Sequence, residues 1–173
     1  MQYAASFVGW SNTGKTRLIT QLVQIFTSRG SHVGTLKKGH SPPSFETAGK
    51  DTDTFFQRGA EKVAYLSEHG GFFRFTTPPP LEEILSYFSS CDIVLLEGIP
   101  LQGAPCFELI KSPDQLSETK YPPDKVSAYI AGDASESSGS AAARPNDRKK
   151  RPILPASKPE EIITFLEELW NAK

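Results

Sequence analysis

Gly9-Trp10-Ser11-Asn12-Thr13-Gly14-Lys15-Thr16 reads G-x-x-x-x-G-K-T, a phosphate-binding loop. Gly9 and Gly14 let the backbone curl so that the N–H groups of Trp10, Ser11, Asn12 and Thr13 turn toward phosphate oxygens. Lys15 sets an ammonium where β- and γ-phosphates lie. Thr16 offers a hydroxyl to Mg²⁺, and Thr16 and Arg17 open a helix whose N-terminus favours an anion. The flanks fit: residues 2–7 and Val8 form an apolar, β-branched and aromatic run of strand length. Leu18, Leu22, Ile25 and Phe26 recur on one helical face, and Gly30 stands where that helix would stop.

Outward from this loop, residues 32–37 read as a second strand, and a strand–helix–strand unit implies a right-handed crossover and a parallel sheet. Lys37, Lys38 and His40 cluster at its carboxyl end, the edge where open α/β sheets bind ligands. A proline-containing loop follows. Asp51 sits at a helix start, as an N-cap or as a ligand to Mg²⁺ or water, and Gly59 closes the short helix. Two short strands, 62–67 and 71–76, flank a turn and make a hairpin; Leu81, Ile84, Leu85 and Phe88 make an amphipathic helix.

Cys91 to Gly98 is nearly all apolar, as in a central strand covered on both faces, and it ends in Glu97. A carboxylate there, beside a phosphate loop, can hold the Mg²⁺ shell. Strands are also expected at 107–111, 126–131 and 153–154, with a loop over 112–125. A disordered insertion is expected over 133–152, and a closing helix capped by Ser157-Lys158-Pro159-Glu160. Asp133 follows a strand on the ligand edge. One carboxylate can accept both the N1–H and the 2-amino group of guanine, a pair adenine lacks.

The 173 residues suit one domain, residues 1–173, an α/β fold with a mostly parallel sheet and an antiparallel hairpin that would mediate dimerisation. Lys and Arg total 19 against 20 Asp and Glu, which argues against a globally basic nucleic-acid binder. Cys91 and Cys106 form no C-x-x-C, and no apolar run reaches membrane-spanning length, so a cytoplasmic protein without a disulfide framework is expected.

Gly9 to Thr16, Leu36-Lys37-Lys38-Gly39-His40, Gly49-Lys50-Asp51-Thr52 with Gly59-Ala60, and Leu95-Leu96-Glu97-Gly98 stand in an order that resembles the molybdopterin-guanine dinucleotide biosynthesis protein B (MobB) family. The resemblance implies a homodimeric GTP-binding protein with weak GTPase activity in molybdenum cofactor biosynthesis. Its partner would be the guanylyltransferase that joins GMP to molybdopterin, with molybdopterin itself a candidate ligand. Carried over, Gly9, Gly14, Lys15 and Thr16 bind phosphate and Mg²⁺, Asp51 and Glu97 serve the metal and water, and Glu108 matches an acid in the next strand. The chain departs from the family pattern at Lys38, at Ile99-Pro100 and at Pro105-Cys106-Phe107, where the family commonly has His, Phe-Lys and a lysine. Two other functions use the same loop: a small-molecule kinase, whose basic lid would be residues 144–151, and a nucleotide-binding adaptor without required turnover.

Overall fold

The computed structural model describes residues 3–39, 49–132 and 151–172. They fall into two compact units, Met1–Lys38 with Ser90–Lys173, and Gly39–Ser89. The expected insertion lies outside the described residues up to position 150, as do His40 and Asp133.

The first unit is a six-stranded sheet of order β2-β5-β1-β6-β7-β8. Its strands are β1 Tyr3–Gly9, β2 Val33–Lys37, β5 Ile93–Glu97, β6 Cys106–Ile110, β7 Ala128–Ala131 and β8 Ile153–Pro155. Every pairing is parallel. Parallel sheets carry helices on their faces and bury both sides, so their strands read as unbroken apolar runs. β6 is buried along its whole length, and β5 along all but Glu97.

Helix α1, Lys15–Ser28, buries Leu18, Ile19, Leu22 and Phe26. Gly30 stops it as the spacing predicts. With φ +88, Gly30 donates its N–H to Thr27 and Ser31 donates to Phe26, the paired bonds of a Schellman cap. Helix α4, Pro159–Asn171, buries Ile162, Ile163 and Leu166 in the same core as α1. The expected capping box fails here. Lys158, not Ser157, precedes the first helical residue, and its ammonium reaches Glu161 at 2.7 Å. Pro159 at the first position supplies a fixed φ and needs no side-chain cap on its missing N–H.

The expected loop 112–125 contains two 3-10 turns, Pro113–Glu118 and Pro123–Lys125, each opened by proline.

The second unit holds α2 Asp51–Gln57, the antiparallel hairpin β3 Lys62–Ser67 and β4 Gly70–Phe75, and α3 Leu81–Ser86. Ser67 pairs with Gly70, so two residues, Glu68 and His69, make the turn. Gly59 closes α2 with the same paired bonds as Gly30, from Gly59 to Phe56 and from Ala60 to Phe55. No helix among the described residues is long and apolar enough to cross a membrane.

Candidate functional site

The sheet register brings the site residues to one edge. Phe7 of β1 and Lys37 of β2 both lie opposite Glu97 of β5, so β2 and β5 end level and β1 runs two residues further, to Gly9. The loop that joins β1 to α1 leaves the sheet at that edge. Chain order also reverses there, with β5 on one side of β1 and β6 on the other. Such a switch point opens a crevice at the strand ends.

Gly9 is needed at its position on two counts. Its φ is +126, and a Cβ there would stand 2.5 Å from the Leu109 carbonyl oxygen. Asn12 at φ +60 and Gly14 at φ +88 complete the curl, and Gly14 is the residue before α1. The Lys15 ammonium folds back over the loop. It donates to the Trp10 carbonyl at 2.6 Å, the Gly9 carbonyl at 3.2 Å and the Thr13 hydroxyl at 3.4 Å. Burial pulls the Lys15 pKa below its ordinary value; Glu97 opposes this, while Lys120 and Lys37 add to it.

Beside it, Thr16, Lys37 and Glu97 form one cluster. The Thr16 hydroxyl lies 3.0 and 2.9 Å from the two Glu97 carboxylate oxygens. Lys37 Nζ lies 3.1 Å from Glu97 Oε1 and 3.2 Å from Thr16 Oγ1. Glu97 is 13% exposed. The Lys37 ammonium therefore rests beside the hydroxyl–carboxylate pair, in contact with both. Those two oxygen donors suit Mg²⁺, which takes one or two carboxylates and keeps waters or phosphate oxygens for the rest. Among the described residues no group of three or more His, Cys, Asp and Glu stands ready to hold a metal unaided.

A cleft of about 470 Å³ opens on the other side of the loop, lined by Trp10, Ser11, Thr13, Ile110, Lys111, Glu118 and Thr119. Gly132, the last described residue before Asp133, donates its N–H to the Ile110 carbonyl at this cleft. The structure thus gathers Gly9 to Thr16, Lys37 and Glu97. Arg17 is exposed on the first turn of α1, and Lys38 follows β2, its N–H donated to the Glu97 carbonyl. Asp51 is the first residue of α2 in the second unit and is exposed; Lys50 precedes it in the capping position. In that turn Asp53 is the engaged acid. It accepts from the Gly49 N–H at 3.0 Å and pairs with Arg74 at 2.9 Å.

The contact between the Glu108 carboxylate and the backbone at Lys120 is not legible in the sequence. Glu108 is fully buried, and its carboxylate accepts the backbone N–H groups of Lys120 and Tyr121. The available signal was an acid inside the apolar run Cys106-Phe107-Glu108-Leu109-Ile110, since a buried charge must find partners.

Comparison with known proteins agrees with this architecture. The family model described as Molybdopterin guanine dinucleotide synthesis protein B matches residues 4–131. The chain is 29% identical over 99 residues to the Molybdopterin-guanine dinucleotide biosynthesis adapter protein of Escherichia coli K12, covering 54% of this chain and 57% of that protein. It is 30% identical over 115 residues to a probable adapter protein of the same description from Bacillus subtilis 168, covering 63% and 65%. The match thus spans less than two thirds of either relative. The crystal structure of Bacillus subtilis MobB superposes with a TM-score of 0.71 at 21% identity, covering 95% of this chain and 98% of that one, which is a likeness of fold.

Proposed function

Because the chain belongs to the molybdopterin guanine dinucleotide synthesis protein B (MobB) family, a fold related to the P-loop NTPases, we propose that it binds GTP with Mg²⁺ and hydrolyses it slowly in molybdenum cofactor biosynthesis. The observation that carries this reading is the meeting of Lys15, Thr16, Lys37 and Glu97 at one sheet edge beside the curled loop. Mg²⁺, when bound, neutralises charge on the phosphate oxygens. The chain's own parts do the rest. The N–H groups of the loop and the α1 terminus bind phosphate, Lys15 offsets charge on the β- and γ-groups, and the Thr16 hydroxyl and Glu97 carboxylate present oxygens to the metal.

Asp51 joins the metal and water side on the family resemblance of Gly49-Lys50-Asp51-Thr52 alone. His40 is proposed as a phosphate-side contact, and Asp133 as the reader of guanine, from their places after β2 and β7 in the sequence. A single nucleotide-binding domain acting as a homodimer with molybdopterin guanylyltransferase completes the reading.

A specific observation also favours a second reading. The Escherichia coli relative is named an adapter protein. In an adaptor, nucleotide would set the binding-competent shape and turnover would be incidental.

Titration with fluorescent GTP and ATP analogues, with and without Mg²⁺, tests both. Lys15→Ala should lose roughly ten- to a hundred-fold in GTP affinity, the worth of one charge-assisted contact, with little change in stability. Glu97→Gln should weaken Mg²⁺-dependent binding or turnover more than Mg²⁺-free binding. Unchanged GTP affinity in Lys15→Ala would remove the phosphate-loop assignment. A Glu97→Gln protein that binds GTP, cannot hydrolyse it and still supports cofactor maturation would establish the adaptor.

A further inference from the structure

We infer that Lys120 is a second phosphate-facing cation of the nucleotide site, held there by Glu108 and Trp10. The inference rests on the nucleotide-binding reading above and adds a residue to it.

Glu108 fixes the segment that carries Lys120. A carboxylate with no exposure, between Phe107 and Leu109 in the middle of β6, is costly unless its oxygens are fully used. Both are spent on one target, the backbone N–H groups of Lys120 and Tyr121, so the acid pins that segment rather than a side chain. The segment is also tied to the phosphate loop, because the Trp10 indole N–H donates to the Glu118 carbonyl at 2.8 Å. Two anchors, one from inside the sheet and one from the loop itself, therefore fix residues 118–121 against the loop.

The side chain that these anchors deliver is Lys120. Its Nζ stands 5.7 Å from the centroid of the Trp10 ring, within cation–π range. An exposed contact of that kind is weak alone, so the backbone anchors fix where the lysine stem begins and Trp10 biases where its ammonium lies. From there its charge reaches Lys15, whose ammonium it helps to destabilise. Two cations that repel one another beside such a loop are both relieved by an anion bound there. A nucleoside triphosphate is the anion with the most charge to offer at that place. Glu108 is accordingly a positioning residue, and Lys120 the one that touches ligand.

The test uses the full chain, a fluorescent GTP analogue, and GTP and GMP as competitors, in parent, Lys120→Ala, Lys120→Arg and Glu108→Gln proteins. Lys120→Ala should bind the triphosphate about tenfold more weakly, lose less for GMP, and unfold at the parent's temperature without nucleotide. Lys120→Arg should keep most of the affinity. Glu108→Gln replaces one acceptor oxygen by an amide donor facing an N–H. It should weaken triphosphate binding to a similar extent, and adding Lys120→Ala to it should cost nothing more, as for two residues that act through one contact. If Lys120→Ala binds the triphosphate as the parent does, the inference falls while the nucleotide reading stands. If the parent itself binds no nucleotide, both fall. Should Glu108→Gln not fold, the Lys120 pair decides alone.

Discussion

The parallel sheet and the hairpin are built on opposite terms. In the sheet, β5, β6 and β7 are buried strands whose polar members are exceptions with assigned partners, such as Glu108. In the hairpin, Val63 is the one buried residue of β3, and Tyr65, Leu66 and Phe73 face outward at 51, 87 and 58% exposure. Neither α2 nor α3 contributes a buried residue. The first unit is therefore held by apolar burial at about 25 cal/mol per Å², a term that grows with every covered strand. A two-stranded hairpin is marginal by itself, so the second unit depends on a few directed contacts. Three substitutions test that contrast.

The largest effect is expected at Phe107→Ala. Phe107 has no exposure, stacks on Phe7 at 5.4 Å and meets Phe165 edge-on at 6.2 Å. Truncating such a ring costs about 3–5 kcal/mol through lost transfer energy and the cavity left behind. Urea unfolding would measure it. A cost below about 1 kcal/mol would mean that the sheet is not the stability centre.

The middle effect is expected at Arg74→Ala. The guanidinium sits 3.7 Å over the Phe56 ring and 2.9 Å from Asp53, joining β4 to α2. Loss of the cation–π contact alone costs about 1 kcal/mol. Hydrogen exchange should quicken over 51–58 while β1 and β5 stay protected, because the contact orders one unit only. The pH dependence has a definite sign. The Gly49 N–H first, and then Arg74, hold the Asp53 carboxyl below its ordinary value. That contribution is present above the ordinary carboxylate range and is lost as pH falls through the lowered value. Protection of α2 that is insensitive to acid would count against the pair.

The same contrast explains what could be read in advance. The curled turn from Gly9 to Gly14, the Gly30 and Gly59 helix stops and the buried β5 are local patterns, and each stands where its residues predict. The meeting of Lys37 and Glu97 was readable too, since parallel strands that end in register bring their last side chains together, and Thr16 reaches them from the first turn of α1. Three features were not. The start of α4 turned on Pro159 rather than on Ser157, a competition between two valid signals. The 3-10 turns of residues 113–125 have no periodicity to detect. The Glu108 anchor joins residues 12 and 13 positions apart through the interior, where the partner's position depends on the folded loop. Local chemistry is written in order along the chain; partners chosen by packing are not.

The smallest effect is expected at Phe73→Thr, and it bears most directly on the contrast. Phe73 is 58% exposed, so it keeps little apolar area from water, and threonine supplies a β-branched side chain suited to a strand. What it loses is aromatic: rings of Phe75 at 6.2 Å and Tyr87 at 5.7 Å lie stacked against it. Such pairs contribute about 0.5–1.5 kcal/mol when well packed, and exposure on this scale puts the loss near or below the bottom of that range. Unfolding of Phe73→Thr should therefore overlay the parent to within about 0.5 kcal/mol. A loss of several kcal/mol would show that the ring is covered in solution, since only a fully buried aromatic costs that much. If that loss then vanished on dilution of the parent, the cover would be a second copy of the chain, and the hairpin would owe its order to assembly rather than to its own contacts.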